Sequence, residues 1–138
     1  MEISSRYIYF KKKAKAIVHS HSINATALST HNKKIPPFHY MVALAGGTDI
    51  KCAKYATYGT RELSKNILKA LQNRSACLIS NHGQIAFGRS LSDAFELAEE
   101  VDNLAKQYIK ALVLGRPKLL SLNEMKKVLS KSKTYKKG

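Results

Sequence analysis

Ala16-Ile17-Val18-His19-Ser20-His21-Ser22 is the stretch from which the fold and the chemistry of this chain are read. A β-branched apolar pair leads into two histidines one residue apart. On an extended strand the side-chain period is two, so His19 and His21 project from the same face. Two neighbouring imidazoles there can hold a transition-metal ion. A third, His82, follows another strand-like run in Ala76-Cys77-Leu78-Ile79-Ser80-Asn81-His82-Gly83. Three histidines with an open fourth position are the pattern of a catalytic zinc site rather than a closed structural one.

Around this stretch the chain predicts alternating strands and helices. Residues 7–18 read as a strand, a basic turn and a second strand at Ala16–Val18. Residues 22–30 read as a short helix with Ser22 as N-cap. Ile35-Pro36-Pro37 forces an extended approach to Phe38-His39-Tyr40-Met41, and Gly46-Gly47-Thr48-Asp49 is a turn. Thr60 caps a helix whose Leu63, Ile67, Leu68 and Leu71 share one face. Ala76–Ile79 and Ile85–Gly88 form a hairpin. The longest helix spans about 93–114, opened by Asp93 with Glu96 as a capping-box pair and closed by Gly115-Arg116-Pro117. Its stripe of Ala94, Leu97, Ala98, Val101, Leu104, Ala105, Tyr108, Ile109 and Leu112 is core. A last helix, about 121–131, runs into a basic tail. With neither repeat nor linker, residues 1–138 are expected to form one α/β domain.

The formal charge of +15 raises the question of nucleic acid. The 24 basic residues are 19 lysines and 5 arginines, whereas base and phosphate recognition favours arginine. No nucleic-acid motif accompanies them, so no nucleic-acid partner is expected. The lysines read as solvated surface, with attraction of an anionic small substrate as the functional alternative. The absence of a signal-peptide layout and of any transmembrane-length apolar run predicts a cytoplasmic protein without a membrane partner. Cys52 and Cys77 then read as reduced thiols, not ligands. No GxGxxG or phosphate-binding loop is present, which leaves a nucleotide reading weak.

Several segments occur in a telling order: Val18-His19-Ser20-His21, Phe38-His39-Tyr40-Met41, Ala45-Gly46-Gly47, Cys52-Ala53-Lys54-Tyr55-Ala56-Thr57-Tyr58-Gly59-Thr60-Arg61-Glu62-Leu63, Asn81-His82-Gly83 and Leu97-Ala98-Glu99-Glu100-Val101. Over residues 7–135 this set resembles the class II aldolase/adducin family, on its fuculose-phosphate aldolase side. The resemblance implies a three-layer α/β/α fold with a central mixed, mostly antiparallel sheet. It also implies a zinc-dependent lyase of carbohydrate metabolism. Such an enzyme cleaves a ketose 1-phosphate, such as fuculose 1-phosphate, to dihydroxyacetone phosphate and an aldehyde. His19, His21 and His82 would hold Zn2+, which polarises the substrate oxygens as a Lewis acid. Tyr40 would contact substrate across a subunit boundary of a homotetramer. Tyr135 corresponds to a C-terminal tyrosine that handles the aldehyde oxygen and its proton. Glu2 is the one candidate for the carboxylate that moves the C–H proton.

The same comparison implies an N-terminally truncated domain. The family's phosphate-cradling loops have no counterpart here, and Glu2 lies about two residues too close to His19. The isolated chain is therefore expected to bind zinc weakly and to turn over little unless a separate N-terminal fragment supplies the rest. Three alternatives stay open. Within the family they are a pentulose-phosphate epimerase and a methylthioribulose-phosphate dehydratase. Outside enzymology the alternative is a non-catalytic adducin-like domain or a decaying gene product.

Overall fold

β-Branched residues at the start of the quoted stretch form β1, Ala16–Ser20. It pairs antiparallel with β4, Gly83–Gly88, setting Ile17 opposite Phe87 and His19 opposite Ile85. β4 is also the hairpin partner of β3, Ala76–Ile79. A two-residue strand, β2 (Cys52–Ala53), adds to the far side of β3 in parallel. The sheet is thus mixed and mostly antiparallel, in the order β1-β4-β3-β2. The computed structural model describes residues 14–137, so Glu2 and the expected strand before the basic turn lie outside the described residues.

Side-chain alternation sorts the core into two layers. Ile17, Cys77, Ile79, Ile85 and Phe87 face α2, Arg61–Ala70, and pack on Leu63 and Ile67 with Leu71 just beyond it. Val18, Ala76, Leu78 and Ala86 face the opposite way. There they meet α1 (Ile23–Ser29), a 3-10 helix (Tyr40–Ala45), α3 (Leu91–Val113) and α4 (Leu122–Lys137). Helices therefore cover both faces, giving the expected three layers. The stripe expected along the longest helix is realised. Ala94, Ala98, Val101, Leu104 and Ala105 are buried, while Leu112 at its end is exposed.

Local signals fix most boundaries. Thr60 Oγ1 accepts the Leu63 N–H at 3.2 Å and caps α2 as expected. α3 starts at Leu91 rather than near residue 93, because Ser90 is its cap and its hydroxyl accepts the Asp93 N–H at 3.1 Å. Asp93 is thus inside the first turn, where its charge favours the helix dipole. α4 continues through Lys137 instead of ending near 131. Phe38-His39-Tyr40-Met41 enters a 3-10 helix, started by His39 Nδ1 accepting the Met41 N–H at 3.0 Å.

The Gly46-Gly47 turn has two separate causes. Gly46 is in the left-handed region at φ 94° and ends the 3-10 helix. At Gly47 a Cβ would collide with the guanidinium of Arg74. That guanidinium pairs with the Asp49 carboxylate, which Lys34 also reaches at 3.0 Å. Burial raises the pKa of Asp49, but hydrogen bonds and charge from Arg74 and Lys34 bring it below the ordinary value.

Candidate metal centre

The site forms where β1 ends beside the tip of the β3–β4 hairpin. Ser80-Asn81-His82 makes the turn, with Asn81 in the left-handed region at φ 55°, a conformation asparagine tolerates. Asn81 N–H is held by the Ser29 carbonyl at 3.2 Å and His82 N–H by the Ile79 carbonyl at 3.0 Å. A Cβ on Gly83 would overlap the carbonyl oxygen of Ser20. Only glycine therefore lets the hairpin tip approach the end of β1.

This packing brings His19, His21 and His82 together. One ring nitrogen from each can be chosen so that all three lie within 4.8 Å of one another. The ring centroids are 4.9–5.1 Å apart, each pair edge to face. Tetrahedral zinc ligands at about 2.1 Å sit roughly 3.4 Å from each other, so small side-chain rotations suffice to close the set. His19 Nδ1 is 2.9 Å from the carbonyl oxygen of Gln84. That acceptor requires the proton on Nδ1 and leaves Nε2 with its lone pair free, as metal-ligating histidines do. Burial lowers the pKa of His82, and the adjacent His19 and His21 lower it further, which favours the neutral ligand form. Donor type, spacing and tautomer all fit a borderline metal such as zinc. His19 and His21 are exposed and His82 is half-buried, so the fourth position faces outward. Cavities of about 650 and 460 Å³ lie elsewhere, both flanking α3.

Asp102, on α3, is a participant that no local pattern announces. Its Oδ1 accepts the N–H groups of Asn24 at 3.0 Å and Ala25 at 2.8 Å, and Oδ2 accepts Asn24 Nδ2 at 2.9 Å. The expected N-cap, Ser22, stands at the cap position of α1 but its hydroxyl makes no capping bond. The carboxylate 77 residues away does that work instead, and so fixes the helix that immediately follows His21. Burial pushes the pKa of Asp102 up, yet hydrogen bonds from Ala25, Asn24 and Ser22 outweigh it and leave the group below its ordinary 3.8. Asp102→Ala is expected to destabilise the fold by about 1–3 kcal/mol, read from urea unfolding at neutral pH. The carboxylate contribution is complete above the unfolded pKa and is lost as pH falls through the lower folded one. Wild type should therefore lose stability faster than the variant below about pH 4. A constant difference between them down to strong acid would contradict this role.

The other expected site residues are placed separately. Tyr40 sits on the 3-10 helix, exposed, its ring stacked on His39 with centroids 4.9 Å apart. That helix packs on α3 and α4. Tyr135 falls within α4, but its side chain lies outside the described part. Cys52 Sγ is 3.3 Å from Ser80 Oγ, Cys77 is buried, and neither forms a disulfide. Among the described residues, no helix is long and apolar enough to cross a membrane.

Residues 6–109 match the family described as Class II Aldolase and Adducin N-terminal domain. A 5-methylthioribulose-1-phosphate/5-deoxyribulose-1-phosphate aldolase of Rhodospirillum rubrum is 50% identical over 120 residues, covering 87% of this chain and 54% of the relative. The L-fuculose phosphate aldolase of Escherichia coli K12 is 49% identical over 123 residues, covering 88% and 57%. The chain thus spans a little over half the length of these curated relatives. A solved L-fuculose 1-phosphate aldolase superposes with a TM-score of 0.88 at 39% identity, over 95% of this chain and 62% of that one.

Proposed function

The chain belongs to the class II aldolase and adducin family, and from that premise we propose that it carries the zinc centre of an aldolase acting on a ketose 1-phosphate. The observation that carries this reading is the cluster of three imidazoles whose ligand atoms lie within 4.8 Å. Zinc bound there would act as a Lewis acid on the carbonyl and hydroxyl oxygens of the substrate. His19 offers Nε2 because Nδ1 is engaged by the Gln84 carbonyl. His82, depressed in pKa by burial and by its two neighbours, offers an unprotonated ring at neutral pH. Imidazoles exposed at a strand end and a hairpin tip leave the fourth position open to an incoming sugar.

Tyr40 is assigned to substrate contact from a neighbouring copy in a homotetramer. Its side chain is exposed, as a contact made across a subunit boundary would require. Tyr135 is assigned to the aldehyde end of the substrate, and Glu2 remains the candidate carboxylate for the C–H proton. The substrate is one of the two ketose 1-phosphate types in the relatives' names, a 6-deoxyhexulose such as fuculose or a 5-substituted pentulose. The lyase reading is favoured over a dehydratase because both relatives are aldolases by name. The cytoplasm, with Cys52 and Cys77 reduced, is the matching compartment.

The test combines metal analysis with product detection on the full 138-residue chain. Zinc-loaded protein is incubated with L-fuculose 1-phosphate or 5-deoxyribulose 1-phosphate, and dihydroxyacetone phosphate is followed by coupled reduction. Slow release from one substrate, removed by a chelator and restored by zinc, is the expected result; robust turnover would overturn the expectation that the chain by itself turns over little. Stoichiometric zinc without any dihydroxyacetone phosphate from either sugar would overturn the aldolase reading. Failure to bind zinc would overturn the metal centre itself.

A further inference from the structure

We propose that Gln84 is a positioning residue for the three-histidine centre, holding it from the opposite face of the sheet; this rests on the metal reading above. Strand alternation puts His19 on the side of Ile17, and Ser20 on the side of Val18 that faces α3. Gln84 lies directly opposite Ser20 in the β1–β4 register and shares that inner side. Its side chain is 1% exposed.

From there Gln84 touches the support of every ligand. Its main-chain carbonyl accepts from His19 Nδ1 at 2.9 Å. Its Nε2 donates to Ser22 Oγ, one residue past His21, at 3.0 Å, and to the Ala98 carbonyl of α3 at 2.8 Å. His82 is two residues upstream on the same hairpin. The three ligands are thus borne on two chain segments whose ends meet at one glutamine, and that glutamine is anchored to the longest helix. Ala98 is one turn before Asp102, which caps α1, so α3 holds both sides of the segment after His21.

The arrangement has a cost that packing alone does not explain. Both amide protons of Gln84 are used, while Oε1 is buried with no hydrogen-bond partner among the described residues. An apolar side chain of similar volume would fill the same space without an orphaned acceptor. What it could not do is tie Ser22 to β4, the strand that His82 leads into. Exposed ligands at the end of β1 need such a tie, since metal affinity depends on ligands being held near their final geometry before the ion arrives.

The test uses cobalt(II) as the probe on the full chain, read by titration and by the intensity of its d–d absorption. Gln84→Met keeps the volume and removes both side-chain bonds. Ser22→Ala removes the bond from Gln84 together with the one to Asp102, and Ser22→Thr keeps the hydroxyl. Gln84→Met is expected to weaken cobalt binding about tenfold and to dim the tetrahedral bands. Ser22→Ala should weaken it less, and Ser22→Thr should restore both affinity and spectrum. Loss of packing alone would lower the urea midpoint of the metal-free protein and leave the bound spectrum unchanged. Wild-type affinity and spectrum in Gln84→Met and Ser22→Ala would overturn the proposal. Equal weakening by Ser22→Ala and Ser22→Thr would also overturn it. If Gln84→Met fails to fold, Gln84→Leu, which also removes both side-chain bonds, decides in its place. His19→Ala is the control: cobalt binding unchanged by it would refute the three-histidine centre rather than the role of Gln84.

Discussion

Gly83→Ala is expected to lower stability by about 3 kcal/mol and to abolish zinc uptake together, a double effect from one methyl group. The added Cβ would overlap the Ser20 carbonyl oxygen and come within 3.2 Å of His21 Cδ2. The first obstacle is backbone, so no rotamer change relieves it. Either β1 moves away from the hairpin or the hairpin tip rebuilds. Both responses separate His19 and His21 from His82, and both break the β1–β4 register near Ser20↔Gln84. Urea unfolding and elemental analysis of the same preparation read the two effects. A variant with the wild-type urea midpoint would mean that the strand end and the hairpin tip do not approach as described.

Removing a ligand should separate the two effects. His82→Ala is expected to reduce zinc affinity by more than the roughly 10–100-fold that outer hydrogen-bond partners are worth, because a primary donor is lost. Metal-free stability should change little, since the ring is half-buried and its burial beside two other imidazoles is already unfavourable to its charged form. Thermal unfolding makes the contrast measurable. Zinc at 100 times its dissociation constant stabilises a binding-competent fold by about 2.7 kcal/mol. Wild type should show that shift and His82→Ala should not. An equal zinc-induced shift in both proteins would remove His82 from the ligand set.

How much of this was readable beforehand depends on how local each interaction is. The His19-x-His21 spacing, the β3–β4 hairpin, the Thr60 cap and the α3 stripe are written in neighbouring residues, and the structure has them where the pattern puts them. His82 was legible as a third imidazole after a strand-like run, and the family resemblance added the layered architecture. Other features depend on partners far along the chain. Asp102 caps a helix from 77 residues away, Arg74 meets Asp49 across 25, and Gln84 reaches back 62 to Ser22. Each was legible as a polar residue and nothing more, because no local period encodes a tertiary partner. Ser22 illustrates the reverse error. Its type and position are right for a cap, yet Asp102 supplies stronger, charged acceptors to the same N–H groups. β2 escaped notice for a related reason: two residues are too few to show alternation, and their pairing depends wholly on β3.

The β1–β4 pairing also sets an order of events for the newly made chain. The hairpin closes over three residues and can form within microseconds, whereas His19 and Gln84 must meet across 65. Loop-closure entropy delays β1 until the hairpin, α3 and their shared core offer it a surface on which to dock. A nascent chain with the proposed centre would therefore complete it at the final step of folding, which would make metal occupancy a report on whether β1 has docked.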